Sequence, residues 1–377
     1  WSTTLSPFIQ LGYEPFLLDC DKYNLGIDVD SFYELAKEED ISTLILVHVL
    51  GHESSIIKIK DICDEFKIRL FEDSCEALGS RISGKNLGSF GLASTFSFYY
   101  GHHISTIEGG MVCTNNLKQI GLAAHGLLDA NRVLPPLCVN ATTVGNHRKS
   151  PVQISGPYKG YMGATVFYFL LPFLEEAPLF EQSNKDVSTV VNGKAVYATS
   201  IDGFLCPSRP NAETIAATTN GGANKWAIGN YAGNFFVFGD RNVLSTEGKT
   251  RLAMLPDGLS QTCMFTERYG TCGNSGQPND SSTWGNLWAD SNLRWRPHFC
   301  MNGQEPDAAN IASGCNMFQP QPDWIKNCDH GSAQSIHSGG ILVTLCDGSV
   351  RSISPTIDTA AWKNLCDPMD GNVISGL

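Results

Sequence analysis

The 377 residues contain no run of about 18 apolar residues, the length that a membrane-spanning helix needs. The longest apolar stretch, ATVFYFLLPFL from Ala164 to Leu174, is short and carries Pro172. Positive charge is scarce: 26 Lys and Arg stand against 38 Asp and Glu, a net charge of −12. A nucleic-acid surface needs clustered Lys and Arg, so this charge argues against nucleic acid as a partner. There is no Met at the start and no basic-then-apolar leader before the first acidic residues. The expectation is therefore a processed chain or a fragment. Residues 117–377 contain no CxxC or HxxxH spacing, which removes the strongest signals for a metal.

What is present has the composition of a globular protein, 42% hydrophobic and 17% charged, long enough for two or three domains with their own cores. The character of the sequence changes along its length. Residues 1–116 hold 17 acids and 8 bases, a net charge of −9, whereas residues 117–377 hold 21 and 18, a net charge of −3. Six of the seven Trp and nine of the thirteen Cys fall in the second part, which is also rich in Gly, Asn, Ser and Pro. A domain boundary is expected at about residue 116.

The first part alternates between the two hydrophobic periods. PFLLDCD (Pro15–Asp21), TLILVHVLG (Thr43–Gly51), IRLFEDS (Ile68–Ser74), STFSFYY (Ser94–Tyr100) and GGMVCTN have the pattern of strands. VDSFYELAKEED (Val29–Asp40) and SIIKIKDICDEFK (Ser55–Lys67) place apolar residues on one helix face. Such alternation predicts a parallel-rich sheet with crossover helices, and in such sheets ligands collect at the carboxyl ends of the strands. Glu72 and Asp73 fall there. His48 sits within an apolar strand and has the setting of a core histidine, while His52 is left open.

The segment EDSCEALGSRISGKNLGSFGLASTFSFYYGHHISTIEGGMV resembles the DegT/DnrJ/StrS family of sugar aminotransferases and dehydratases, and the resemblance reaches back to Trp1. It implies part of a fold-type I pyridoxal-phosphate transferase layer, a homodimer, a cytoplasmic setting and pyridoxal or pyridoxamine 5'-phosphate as cofactor. Carried over by position, Asp73 faces the pyridine nitrogen, where a carboxylate makes the cofactor a better electron sink. Ser97 bonds the phosphate, and Glu76 lies close by. At the position of the family's catalytic lysine stands His102, followed by His103. Imidazole cannot form a Schiff base, but it moves protons near neutral pH. The branch with His resembles 3-dehydratases of nucleotide-linked 4-keto-6-deoxyhexoses, with His102 as the base in deoxysugar synthesis for surface polysaccharide. The family's Gly- and Thr-rich phosphate loop and its small C-terminal domain find no counterpart in the sequence, so the part is expected to be inactive as it stands.

The second part opens with LKQIGLAAHGLLDA (Leu117–Ala130), an amphipathic helix by its spacing. CPSRP, NYAGN, DGLSQT-FTERY and H-SGG-CDGSVR follow, and Cys346-Asp347-Gly348-Ser349 marks a hairpin between ILVTL and VRSIS. These pieces resemble a pseudopilin-like family of unknown function carried by planctomycete bacteria. The resemblance implies an α+β pilin-like domain, an N-terminal helix on an antiparallel sheet, displayed outside the cytoplasmic membrane with envelope or pilus-like partners. Glu267-Arg268 is read as a structural ion pair. His330, His337, Asp329, Asp347 and Cys328 form a weak metal pattern, and no metal is expected. At least one disulfide is expected among Cys263, Cys272, Cys300, Cys315 and Cys328. Because CTNN (residues 113–116) satisfies both family patterns, the whole chain reads as a chimera joined there.

Overall fold

The computed structural model describes residues 2–372 apart from 67, 83–84, 92, 98, 100–109, 115, 141–149, 207, 210–220, 293–294, 302–305 and 338. The chain divides into two compact units, Trp1–Asn115 and Asn116–Leu377.

The first unit runs α1 (Ser2–Gln10), α2 (Val29–Glu38), β1 (Thr43–Val47), α3 (Ile56–Glu65), β2 (Arg69–Asp73), β3 (Ala93–Ser97) and β4 (Gly110–Thr114). The sheet order is β1-β2-β3-β4, with β1, β2 and β3 parallel and β4 antiparallel to β3. Helix α2 starts where the Asp28 carboxylate accepts the Ser31 N–H at 2.7 Å, the capping that an aspartate before an apolar-periodic run predicts. Helix α3 buries Ile56, Ile59, Ile62 and Cys63 on one face. They pack with Phe32, Leu44, Leu46 and Leu70 in this unit's own core. Each fully buried Ile or Leu there contributes about 1.5–3 kcal/mol.

One expected strand is absent. PFLLDCD forms no ladder: Cys20 makes an isolated bridge with Ile27, and Phe16 and Leu17 are 54% and 84% exposed. An apolar run becomes a strand only when a neighbouring strand takes its backbone N–H and C=O groups, and this run has no such neighbour among the described residues.

The second unit begins with α4 (Asn116–Asn131), whose Leu117, Ile120, Ala123, Ala124 and Leu127 are buried. The apolar run after Ala164 folds as a short helix, α5 (Val166–Leu170), with all five side chains buried. That accounts for its lack of a polar face. Strands β5 (Tyr231–Asn234), β6 (Cys263–Glu267), β7 (His298–Phe299), β8 (Ile341–Leu345) and β9 (Val350–Ile353) form a sheet of order β7-β5-β6-β8-β9. The sheet is mixed rather than antiparallel throughout, because the short β7 runs parallel to β5.

Helix α4 lies against β6 and β8. Thr344 on β8 donates its hydroxyl to the Leu117 carbonyl at 3.0 Å. The β8–β9 hairpin turns at Gly348, φ +80°, a conformation that glycine accepts without strain. The last helix, α6 (Thr359–Cys366), is capped by Asp358. Asn234 ties it to β6 by donating to both the Cys263 and Cys366 carbonyls, each at 2.7 Å. Disulfides join Cys272 to Cys328 and Cys300 to Cys315, while Cys263 is free. No helix among the described residues is long and apolar enough to cross a membrane.

Candidate functional site

Parallel pairing brings the carboxyl ends of β1, β2 and β3 to one edge. Val47 stands opposite Asp73, and Asp73 opposite Thr95. Beyond the ladder the chain stays tied: His48 N–H donates to the Asp73 carbonyl at 3.0 Å, and Ser74 N–H to the Thr95 carbonyl at 2.9 Å. Asp73 and Ser97, the last residues of β2 and β3, therefore lie along this edge.

The two carboxylates of the Glu72-Asp73 pair have opposite fates because successive strand side chains point to opposite faces. Glu72 is 2% exposed. Its Oε1 accepts the N–H groups of Phe90 and Gly91, both at 2.6 Å. Its Oε2 accepts Gly88 N–H at 2.8 Å and faces His48 Nε2 at 2.8 Å. Burial pushes the Glu72 pKa up, but the His48 bond and the Gly91 and Gly88 amides outweigh it and hold the carboxyl below its ordinary value. Glu72 is thus a structural staple that fixes the 88–91 loop, and His48 is its core partner. Among the described residues His48 Nδ1 has no hydrogen-bond partner.

Asp73 is only part-buried and faces the edge. Its Oδ2 accepts the Thr4 hydroxyl at 2.7 Å and its Oδ1 accepts Cys75 N–H at 3.2 Å. Burial, followed by the Asp73 carboxylate, pushes the neighbouring Cys75 thiol up to about 12, so this thiol is no nucleophile near neutral pH. Glu76 accepts Leu50 N–H at 2.9 Å. It thereby steadies a residue in the left-handed region, Leu50 at φ +53°. Ser97 Oγ accepts Tyr99 N–H at 3.3 Å, which leaves its hydroxyl proton available to an acceptor such as a phosphate oxygen. His102, His103 and Glu108 lie outside the described residues, and His52 is exposed. An acceptor on Asp73 and a donor on Ser97, held along one strand-end edge, fit the two poles of a pyridoxal-type cofactor.

Residues 1–127 match the DegT/DnrJ/EryC1/StrS aminotransferase family. Over 130 aligned residues the chain is 39% identical to a GDP-4-keto-6-deoxy-D-mannose 3-dehydratase of Yersinia pseudotuberculosis, covering 33% of each chain. Over 120 aligned residues it is 38% identical to the lipopolysaccharide biosynthesis protein RfbH of Salmonella typhimurium, covering 31% of this chain and 27% of that one. The chain thus spans between about a quarter and a third of the length of these curated relatives. A solved Escherichia coli GDP-4-keto-6-deoxy-D-mannose 3-dehydratase with bound hydrated PLP is 30% identical. That match covers 49% of this chain and 48% of that one, with a TM-score of 0.32.

Residues 110–360, two thirds of the sequence, match a second family, described as a protein of unknown function (DUF1559). The chain belongs to this family. In the DUF1559 part the expected Glu267–Arg268 pair does not form. Arg268 spends its guanidinium on the carbonyls of Arg296, His298 and His330. Glu267 Oε1 instead lies 2.6 Å from His337 Nδ1. Adjacent residues on a strand point to opposite faces, so neighbours in sequence are poorly placed to pair.

The other residues of the weak metal pattern are dispersed. Cys328 is in a disulfide. Asp329 takes Gly331 N–H and the Ser332 hydroxyl. Asp347 holds Ser349 in the hairpin turn. The His330 ring packs on Trp284, centroids 5.0 Å apart.

Proposed function

We propose that residues 1–115 are the cofactor-facing layer of a pyridoxal- or pyridoxamine-phosphate-dependent enzyme acting on a nucleotide-linked 4-keto-6-deoxysugar. The reaction is 3-dehydration, or amino transfer, in deoxysugar synthesis for surface polysaccharide. The observation that carries the reading is the placement of Asp73 and Ser97 on the carboxyl edge of one parallel sheet. The similarity to sugar 3-dehydratases supports the choice of chemistry.

In this reading Asp73 holds the pyridine nitrogen and Ser97 the phosphate, with Glu76 clamping the adjoining loop. The bound cofactor supplies the electron sink for carbanion chemistry. Thr4 orients the Asp73 carboxylate through Oδ2. His102, in the lysine position, moves the proton. The enzyme is a cytoplasmic homodimer, completed by parts of the fold that this share of the relatives' length does not match.

The test is absorbance and affinity for pyridoxal phosphate on the purified 377-residue chain. Among the described residues of this edge one hydroxyl, Ser97, stands where several N–H donors usually share a phosphate. Binding should therefore be weaker than micromolar, and weaker again in Asp73→Ala and Ser97→Ala. Tight stoichiometric binding would overturn the expected loss of affinity, and binding indifferent to both substitutions would refute the assignment of Asp73 and Ser97. In a fusion that completes the layer with the remaining fold of a relative, His102→Ala should lower dehydration by about 10²–10⁴-fold. Unchanged turnover would remove His102 as the base.

A second reading applies to the DUF1559 part, favoured by its two disulfides and by a helix lying on a sheet. Disulfides persist in oxidising compartments. On this reading residues 117–377 form a pseudopilin-like envelope protein outside the cytoplasmic membrane, with envelope or pilus-like partners. The chain as a whole is then a chimera of a cytoplasmic and an exported part.

A further inference from the structure

Three segments far apart in the sequence converge in the DUF1559 part. Cys206 Sγ, a Glu267 carboxylate oxygen and a His337 ring nitrogen all lie within 4.8 Å of one another. Each is fixed by its own backbone. Cys206 N–H donates to Asn230 Oδ1 at 3.0 Å. Glu267, the last residue of β6, has its Oε2 held by Leu342 N–H at 3.0 Å, leaving Oε1 for the cluster. The His337 carbonyl accepts the Ser335 hydroxyl at 2.6 Å, and His337 forms a bridge with Gly340. Cys206 and Glu267 are buried, whereas the His337 side chain is 34% exposed.

An ion pair accounts for only part of this arrangement. His337 Nδ1 lies 2.6 Å from Glu267 Oε1 and is also within bonding reach of Cys206. The buried thiol on the same imidazole makes this a cluster of three donors rather than a pair. A nucleophilic cysteine is no better, because a reactive thiolate needs access and Cys206 is 2% exposed. A disulfide is also ruled out for the described residues, since Cys206 is free. One other sulfur trio, Cys300, Cys315 and Cys366, already spends two of its members on each other.

A thiolate, an imidazole and a carboxylate on preset backbone are the donors that zinc selects. Tetrahedral zinc sets its donors about 3.3–3.8 Å apart, inside the observed spread, and the imidazole–carboxylate pair need open by only about 0.7 Å. We propose that Cys206, Glu267 and His337 form a zinc site in the DUF1559 part, with a fourth position open beside His337 for water or an incoming anionic ligand. Three protein donors plus an open position is the arrangement of reactive rather than purely structural zinc.

The experiment uses the whole 377-residue chain, stripped with a chelator and titrated with Zn²⁺ against a chromophoric competitor. One equivalent should bind, and His337→Gln and Cys206→Ser should each weaken it by at least about 100-fold. Cys263→Ser, outside the trio, should leave it unchanged. Co²⁺ loaded in place of zinc should show a thiolate charge-transfer band and tetrahedral d–d bands, both altered in Cys206→Ser. The cobalt spectrum of the unsubstituted protein needs no variant to fold, so a missing thiolate band there overturns the proposal alone. Zinc affinity equal in the unsubstituted chain and both ligand variants overturns it as well.

Discussion

Replacing Glu72 by Gln should unfold the first unit selectively. In the native structure one buried carboxylate accepts three backbone N–H groups and faces His48. An amide keeps one acceptor oxygen and presents an NH₂ group on the other side, so at least one of the three amides must face a donor. Hydrogen bonds to a charged acceptor are worth about 1.5–3 kcal/mol, and an orphaned buried donor costs about 1–3 kcal/mol. Together these put the loss at about 3–5 kcal/mol, the range found when one partner of a buried charged pair is removed. That is a large share of the stability of an ordinary domain.

The pH sign follows from the same contacts. Because the folded carboxyl titrates below its ordinary value, its contribution is complete above the unfolded value of about 4.3 and is lost as pH falls through the folded one. Tryptophan fluorescence is a poor probe, since six of the seven Trp lie in the other part. The assay is hydrogen exchange of amides 88–91 and of β2, at neutral pH and below pH 4. Glu76→Gln is the control: Glu76 is exposed and accepts a single N–H, so it should cost under about 1 kcal/mol. If Glu72→Gln protects the 88–91 amides as well as Glu76→Gln does, the staple argument fails.

The remaining expectations concern the DUF1559 part and the junction. Removing the Cys272–Cys328 bridge, whose ends are 56 residues apart, should lower stability by about 4 kcal/mol, and removing Cys300–Cys315, 15 apart, by about 3 kcal/mol, if loop entropy governs. Denaturant melts of the paired Cys→Ala variants followed by tryptophan fluorescence would contradict this by ranking them in the opposite order. Gly121→Val should loosen α4 from the sheet, because even a Cβ at this glycine would come within 2.6 Å of Thr344 Cγ2. Overpacking of this kind costs about 1–3 kcal/mol, and a thermal midpoint that does not fall would show that the helix can shift. Long sequencing reads that cross codons 113–116 intact in independent samples would establish the two parts as one gene, whereas reads that break there would make the joint an artefact.

The local rules reached the regular elements. Ile56, Ile59 and Ile62 at helical spacing became the buried face of α3, and the Cys346–Ser349 turn delivered its hairpin at Gly348. They failed where partners decide. Phe16 and Leu17 look like strand residues, but no strand among the described residues lies beside them to complete a ladder. Glu72 is legible as a buried group only through alternation, because it shares a face with Leu70. Nothing in the spacing of Cys206, Glu267 and His337 announces that they meet, since three separate loops and strand ends bring them together. Asp73 is legible as a strand-end carboxylate, but its role and that of Ser97 are named through the resemblance to the sugar aminotransferase and dehydratase family. His102 lies outside the described residues, so its part rests on position alone.

The junction shows why two family patterns can share the same letters. Residues 110–127 are matched by both families. In the first unit Gly110–Thr114 is strand β4, paired along its length with β3 from Ser97↔Gly110 to Ala93↔Thr114. Asn116 is already the first residue of α4, and its side chain donates to the carbonyls of Asp202 and Leu205 at 3.0 and 2.6 Å. The strand therefore completes its ladder by Thr114, and the helix finds its anchors from Asn116 onward. A join between Thr114 and Asn116 leaves the β4 ladder and the Asn116 anchors whole. A cut two residues earlier would shorten the ladder, and one two residues later would remove the Asn116 contacts. If the chain did arise by fusion, this is the point where each part keeps its local hydrogen bonds, and that permits the joined product to fold as two units.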